Sequence, residues 1–345
     1  MKVLVPLLIA SIFLLSGCID IITESYIVYA SSPTLIEYNI SYGYRIYLKG
    51  NLNFNYTCPV PVNSIETKLI YPYGYRKEKI GENILIKWWF NESGEKNFSV
   101  GITSKLVVKS FVVDLNRKGV KIDEIPEDLI NQYCRVESTK ESEKNLIDPR
   151  DPEIVSLALS IKGEENDAFL VARKIFEWLK KNTCYKAHEG NANPQPAIET
   201  LHLKSGDCDD LTFLYISLCR AVNIPARFIR GYIIDTSKGS PRAVPHAWAE
   251  VYVGFGRDGW IPVECSGTSN DVESEVYQNF GVEDAHHIRI FIDEGSNDSI
   301  EISCKGPTLQ YTEEVDLEDF VIINEYKEIS YGSLTVYRDG RREFK

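Results

Sequence analysis

The sequence predicts an α+β protein in which an all-β region comes first and a mixed region of helices and sheet follows. Three observations predict it. Residues 20–113 lack helical periodicity and alternate in character, as in Tyr44-Arg45-Ile46-Tyr47-Leu48-Lys49; the polar run that ends in Asp148-Pro149-Arg150-Asp151-Pro152 then interrupts the pattern; helical stripes begin directly after it. At 345 residues, with 43% hydrophobic and 26% charged residues, the chain is long enough for two cores and is neither disordered nor collagen-like.

The chain opens with Met1-Lys2 and an apolar stretch from Val3 to Leu15, then small residues and Cys18. Such a stretch is too short to cross roughly 30 Å of hydrocarbon as a helix. Residues 1–17 are therefore expected to be a signal peptide rather than a transmembrane anchor. The run Leu15-Ser16-Gly17-Cys18 resembles the lipobox of prokaryotic lipoproteins, and the resemblance implies cleavage before Cys18 and lipidation of its thiol. The remainder is then expected outside the cytoplasm, anchored to a membrane. Five Asn-x-Ser/Thr triplets, at Asn39, Asn55, Asn91, Asn97 and Asn297, agree with an exposed extracytoplasmic surface.

Residues 19–120 read as a β-sandwich-like domain, with strands such as Ile84-Leu85-Ile86-Lys87-Trp88 and turns at Tyr42-Gly43, Lys49-Gly50-Asn51, Tyr73-Gly74, Gly81-Glu82-Asn83 and Ser93-Gly94. Its tyrosines are assigned to sheet packing in preference to a glycan or peptide face, and an envelope partner for this domain is left open. Residues 121–150 read as a linker. Pro152 suits a helix start, and Ala168, Val171, Ala172, Ile175, Trp178 and Leu179 form one stripe behind the cap Asp167. A mixed domain over 151–287 and a β-rich C-terminal extension over 288–345 complete the expected organisation.

The net charge of −12 is unfavourable for phosphate neutralisation and excludes nucleic acid as a partner. Residues 19–120 are weakly basic and residues 121–345 strongly acidic, which supports a boundary near residue 120. With no Cys-x-x-Cys pair and five scattered histidines, no structural zinc site is expected, and no other metal or cofactor. Spacing does not settle which of Cys58, Cys134, Cys184, Cys219, Cys265 and Cys304 are paired.

The chemistry concentrates at Gly206-Asp207-Cys208-Asp209-Asp210, which precedes a helix whose Leu211, Leu214, Tyr215, Leu218 and Val222 share a stripe. A cysteine at a helix start meets unbonded N–H groups and the positive end of the helix dipole, both of which favour a thiolate. Asp209 and Asp210 oppose it, so a nearby cation is required. The helix is expected to stop at Asn223. Two strands follow, Pro225 to Ile234 and Pro245 to Val253, with His246, Trp248, Glu250 and Tyr252 on one face of the second. A third strand ends at Glu264. Antiparallel pairing brings Glu264 beside His246, and a Cys, a His and a carboxylate are what nucleophilic acyl transfer needs.

Between Asp151 and Glu264 the chain resembles the transglutaminase-like superfamily, whose core is related to papain-like thiol enzymes. The motifs that carry the resemblance are Ala197-Ile-Glu-Thr-Leu201, Gly206-Asp-Cys-Asp-Asp210, Arg220-Ala-Val-Asn-Ile-Pro-Ala-Arg227 with Gly231-Tyr232, His246-Ala-Trp-Ala-Glu-Val-Tyr252 and Gly259-Trp260-Ile-Pro-Val263. It implies a helix-borne Cys packed on an antiparallel sheet, with Cys208 as nucleophile, His246 as general base and then acid, and a carboxylate that orients the imidazole. It says nothing about residues 19–150. One position departs: the family usually has Asp-Pro where this chain has Glu264-Cys265. The expected activity is acyl transfer on peptide or glutamine amides through a Cys208 thioester, by peptidase-like hydrolysis or by transglutamination. The alternative is a catalytically degenerate binding module of the cell envelope. Trp248, Trp260 and Tyr252 are expected as core or cleft walls, and His188, His202, His286 and His287 as surface or loop residues. Cys265 reads equally as half of a disulfide or as a redox partner of Cys208.

Overall fold

Alternation at every second residue folds the first third of the chain into sheet. The computed structural model describes residues 26–135, 145–188, 193–268, 271–295, 299–300 and 305–345. Strands β1 (Tyr26–Lys49), β2 (Asn51–Pro59), β3 (Ser64–Leu69), β4 (Tyr75–Ile80), β5 (Asn83–Ser93) and β6 (Lys96–Lys109) come first. Along β1 the side chains of Ile36, Tyr38, Ile40, Tyr42, Ile46 and Leu48 turn inward at period two. They meet Leu52, Phe54, Tyr56, Ile86 and Trp88 from the second sheet in one core, the packing of a β-sandwich. Gly43 and Gly101 are register partners in β1 and β6, and a Cβ on Gly43 would stand 2.1 Å from the Val100 carbonyl oxygen. Only glycine allows this approach.

After β7 (Phe111–Val112) and a 3₁₀ turn at Ile122–Glu124 come α1 (Glu127–Tyr133), α2 (Pro152–Lys162), α3 (Ala168–Asn182), β8 (Cys184–Tyr185), α4 (Ala197–Leu203), β9 (Ser205–Gly206) and α5 (Cys208–Ala221). The helix signals act as the sequence suggests. Pro152 opens α2 behind Asp151, whose carboxylate accepts from Glu153 N–H at 2.8 Å, and Asp167 caps α3 through Leu170 N–H at 3.1 Å. The α3 stripe is buried, with Trp178 half-buried at its margin. The α5 stripe is wider than its periodicity indicates: every residue from Asp210 to Arg220 is buried, because α2, α3 and α4 pack on one side of the helix and the sheet on the other.

That sheet consists of β10 (Ala226–Asp235), β11 (Arg242–Arg257) and β12 (Trp260–Val263), followed by α6 (Val272–Asn279), β13 (Val282–Glu283) and β14 (His287–Ile292). Its order is β12-β11-β10-β14, all antiparallel. Ala247, Ala249, Val251 and Phe228 face α5, with Phe213 stacked on Phe228 at 5.0 Å. The opposite face carries His246, Trp248 and Glu250.

The boundaries differ from the expected ones. The polar stretch 121–150 is no free linker in its described part, since Ile122, Ile125, Ile130, Tyr133, Cys134 and Ile147 are buried in the core of α3 and α5; a few apolar residues in a polar context suffice to dock it. The boundary expected after residue 287 is crossed because the buried run His287–Ile292 completes the sheet beside β10. The chain then returns to the sandwich. β15 (Thr308–Tyr311) pairs with β2, β16 (Glu314–Tyr337) lies along the whole of β1, and β17 (Arg342–Phe344) forms the edge. The two sheets of the sandwich are β17-β16-β1-β6-β3 and β15-β2-β5-β4.

Among the described residues no helix is long and apolar enough to cross a membrane, and Cys18 lies outside them. Cys58, Cys134, Cys184, Cys208, Cys219 and Cys265 all carry free thiols. Cys265 is therefore not half of a disulfide; its thiol is buried and donates to the Val263 carbonyl.

A charge lattice holds β10, β11 and β14 together on the face away from α5. Arg227 donates to Glu250 at 2.8 Å, Arg289 joins Glu250 and Glu283 at 2.6 Å each, and Trp248 Nε1 donates to Glu283 at 2.9 Å. Replacing Arg289 by Ala leaves two buried carboxylates short of a partner and is expected to cost about 3–5 kcal/mol, measured by denaturant unfolding. A loss under about 1 kcal/mol would mean that the lattice contributes little.

Candidate active site

The start of α5 is built by its own carboxylates. Asp207 accepts from the N–H groups of Asp209 (3.0 Å) and Asp210 (3.3 Å), while Asp210 Oδ2 reaches back to Asp207 N–H (3.0 Å), closing a capping box. Gly206 makes room for the return, because a Cβ there would lie 2.5 Å from Asp210 Cβ. Fully buried Asp210 also accepts from Gln195 N–H (2.7 Å), Gln195 Nε2 (2.6 Å) and His188 Nε2 (2.7 Å). His188 lies in a loop, as expected, and is a partly buried support of this turn.

Cys208 is the first residue of α5 and is partly exposed. The backbone of Ala247, the residue that follows His246 on β11, lies close enough to draw the pKa of the thiol down. The thiol donates to Asp209 Oδ1 at 3.6 Å, and Asp209 Oδ2 pairs with Arg230 at 2.8 Å. Burial, then the charges of Asp209 and Asp207, push the thiol well above its ordinary range; the Ala247 N–H works against this and Glu264 adds to it. These influences favour the neutral thiol and oppose the pull of the helix start toward a thiolate.

His246 stacks on Trp248 at 5.9 Å between ring centres, and its Nε2 lies 2.7 Å from Glu264 Oε2. Glu264 stands directly after β12, where pairing of Ala249 with Val263 brings the two strands side by side. The extra methylene of Glu is accommodated by contacts at both oxygens: Oε1 accepts from Ser266 N–H (2.8 Å) and Oγ (2.6 Å), and Oε2 also faces His287 Nε2 at 3.5 Å. Burial would push the Glu264 carboxyl up, but the His246 and His287 imidazoles hold it well below the usual carboxylate range.

His287 is buried at the first position of β14 and is therefore neither a surface nor a loop residue; its Nδ1 lies 2.7 Å from Asp284 Oδ1. His286 meets the Tyr326 hydroxyl at 3.2 Å, and His202 pairs with Glu153 at the surface. Ser266, His287 and the Ala247 N–H are the members that sequence reading missed, and only the Asp284-x-x-His287 spacing hinted at one of them. His246, Glu264 and His287 bring three donor atoms within 4.8 Å of one another, as do His188, Asp207 and Asp210. In both groups hydrogen bonds or ion pairs among the members already engage those atoms.

Residues 155–265 match the family model of the transglutaminase-like superfamily. The "Uncharacterized protein YebA" of Bacillus subtilis (strain 168) is 23% identical over 170 residues, which cover 45% of this chain and 23% of that protein. The chain thus spans about a quarter of that relative's length. Among solved structures, a "Putative Cysteine Protease" from Cytophaga hutchinsonii superposes with a TM-score of 0.51 at 15% identity, over 91% of this chain and 100% of that one, a likeness of fold that takes in the sandwich as well as the core. The periplasmic domain of TgpA from Pseudomonas aeruginosa overlaps more loosely, with a TM-score of 0.32 at 11% identity over 65% of this chain and 86% of that one. With a cysteine-bearing helix packed on an antiparallel sheet, residues 155–265 are a domain of the transglutaminase-like superfamily.

Proposed function

We propose that this protein is a thiol enzyme of the cell exterior that transfers the acyl group of a peptide or glutamine amide through a thioester on Cys208. The observation that carries the reading is the His246 imidazole hydrogen-bonded to Glu264 at 2.7 Å on β11, one residue from Ala247, whose N–H acts on the Cys208 thiol at the start of α5. Engagement of His246 Nε2 by Glu264 leaves Nδ1 to serve the thiol.

Because acidic neighbours and burial hold the thiol protonated, His246 acts as a general base during attack. The Cys208 proton passes to His246 Nδ1 as the sulfur bonds to the amide carbon, and the carbonyl oxygen takes the charge. The Cys208 backbone N–H suits that oxyanion: at the first helical position it has no intrahelical acceptor, and the Asp207 cap uses the next two N–H groups instead. Collapse breaks the carbon–nitrogen bond while His246 protonates the leaving amine. Water or a second amine then attacks the thioester, His246 takes its proton, and the thiol is restored. Water makes the enzyme a hydrolase, an amine a transglutaminase.

Location belongs to the same proposal. A lipid on Cys18 would hold the protein at the outer face of a membrane, and since one acyl chain binds only marginally, a second chain or further contacts are required. The sandwich is then available to an envelope partner. Replacing Cys18 by Ala is expected to release or misprocess the protein in cell fractionation; unchanged membrane retention and processing would remove the anchor.

A peptide carrying a glutamine-mimicking electrophile tests the chemistry. Cys208→Ala is expected to abolish covalent labelling, read by mass spectrometry, and to change stability by no more than about 1 kcal/mol, since a partly exposed nucleophile contributes little packing. An inert wild-type thiol, together with a loss of several kcal/mol in the variant, would favour the binding-module reading.

Asp209→Asn tests the electrostatics. Asp209 raises the thiol's pKa, so removing its charge lowers that pKa, enlarges the thiolate fraction at neutral pH and leaves Arg230 to act in the same direction. Iodoacetamide should alkylate Cys208 about tenfold faster at pH 7, the effect of a shift of one unit. An unchanged rate would show that Asp209 does not control the thiol.

A further inference from the structure

Glu264 serves two imidazoles with one oxygen. Its Oε2 lies 2.7 Å from His246 Nε2 and 3.5 Å from His287 Nε2. Behind His287 stands a second carboxylate, Asp284, whose Oδ1 is 2.7 Å from Nδ1. An imidazole hydrogen-bonded to a carboxylate at one nitrogen and at ion-pair distance from a second carboxylate at the other favours the doubly protonated ring. Trp248 fixes the spacing: it stacks on His246 and presents its edge to His287 at 5.1 Å, with the two imidazole centres 5.9 Å apart.

We propose that His287 is a positioning residue for the Cys208 and His246 chemistry: clamped by Asp284, it fixes the Glu264 carboxylate through the oxygen that also receives His246. The role rests on the reading of His246 as general base. It gives the longer Glu side chain a second fixed point and places a positive charge beside the base.

The groups around His287 agree in sign. Asp284, Glu264 and Glu283 face it with negative charge; Arg289 and Arg257 stand behind Glu283, and His286 shares Asp284. Burial opposes the charged ring, but Asp284 and Glu264 raise its pKa to about 10. The turn is anchored from the sandwich: the Tyr38 hydroxyl donates to the Ala285 carbonyl at 2.8 Å, and Tyr326 meets His286.

Nitrogen-15 NMR of the histidine rings across a pH series of the full chain tests this without a substrate. In the wild type, His287 is expected to stay doubly protonated through neutral pH. In His287→Gln, which keeps a hydrogen-bond donor and loses the charge, the His246 Nε2 proton signal, set by its bond to Glu264, should broaden or move at constant pH, since the carboxylate has lost a fixed point. In Asp284→Asn the His287 midpoint should fall by at least about one unit. A His246 Nε2 proton signal unchanged by His287→Gln, or a His287 midpoint unmoved by Asp284→Asn, would overturn the proposal. Absence of electrophile labelling at Cys208 would instead count against the enzyme reading and leave the coupling of the two rings intact.

Discussion

Glu250 sits fully buried between Arg227 and Arg289, and Arg289 continues to Glu283. Charges taken out of water cost several kcal/mol each unless every one finds a partner in good geometry. The arginines hold both carboxyls below their ordinary values although burial pushes the other way. This constraint spans β10, β11, β13 and β14, so these strands cannot slip in register without leaving a charge unpaired. It also orients the site, because Glu283 receives the Trp248 indole and Trp248 carries the His246 ring. Arg227 reaches beyond the sheet to Glu82, between β4 and β5.

The start of α5 shows two demands in competition. A rigid cap favours acidic residues at the N-terminus of a helix, and Asp207 and Asp210 supply it. A thiolate at the first helical position is opposed by the same charges. Geometry wins here: the cap fixes where Cys208 stands, while its thiol is driven toward the neutral form. Arg230 offsets Asp209, and His188 partly offsets Asp207. On the proposed reading, Cys208 is then a nucleophile that depends on a base, and the weight of the chemistry falls on His246 and on whatever orients it.

Local signals were legible in the sequence where local physics decides. Pro152 opens α2 and Asp167 caps α3, β1 alternates as its residues alternate, and α5 begins at Cys208 and ends before Asn223, whose φ of 61° is the left-handed turn that breaks the helix. The pairing of His246 with Glu264 could be anticipated because β11 and β12 are neighbours in sequence. Contacts closed over long distances were not legible. Nothing in Glu314–Tyr337 announces that it lies along Tyr26–Lys49, since strand pairing depends on complementary faces rather than on spacing. His287 reads as a surface or loop residue because a histidine pair after a polar turn has no periodicity to betray burial. The polar segment 121–150 read as a linker because its few buried residues are outnumbered by charged ones.

The sandwich bears on the site through position alone. Tyr38, on β1, holds the turn that carries His287, and Tyr326, on β16, holds His286. Ile234, Ala285, Ile288 and Ile290 from the sheet region belong to the same apolar core as Ile36 and Tyr42. A Glu in place of the usual Asp brings one more rotatable bond, and immobilising such a side chain costs up to about 2 kcal/mol of rotamer entropy. Ser266 from one side and His287 from the other restrain Glu264 in the structure, and His287 keeps its own place through Asp284 and a turn that the sandwich anchors. The longer carboxylate and the strands that return to the sandwich are thus parts of one arrangement: the added reach of Glu264 is usable because the second sheet region, β1 and β16 together hold still the residue it leans on.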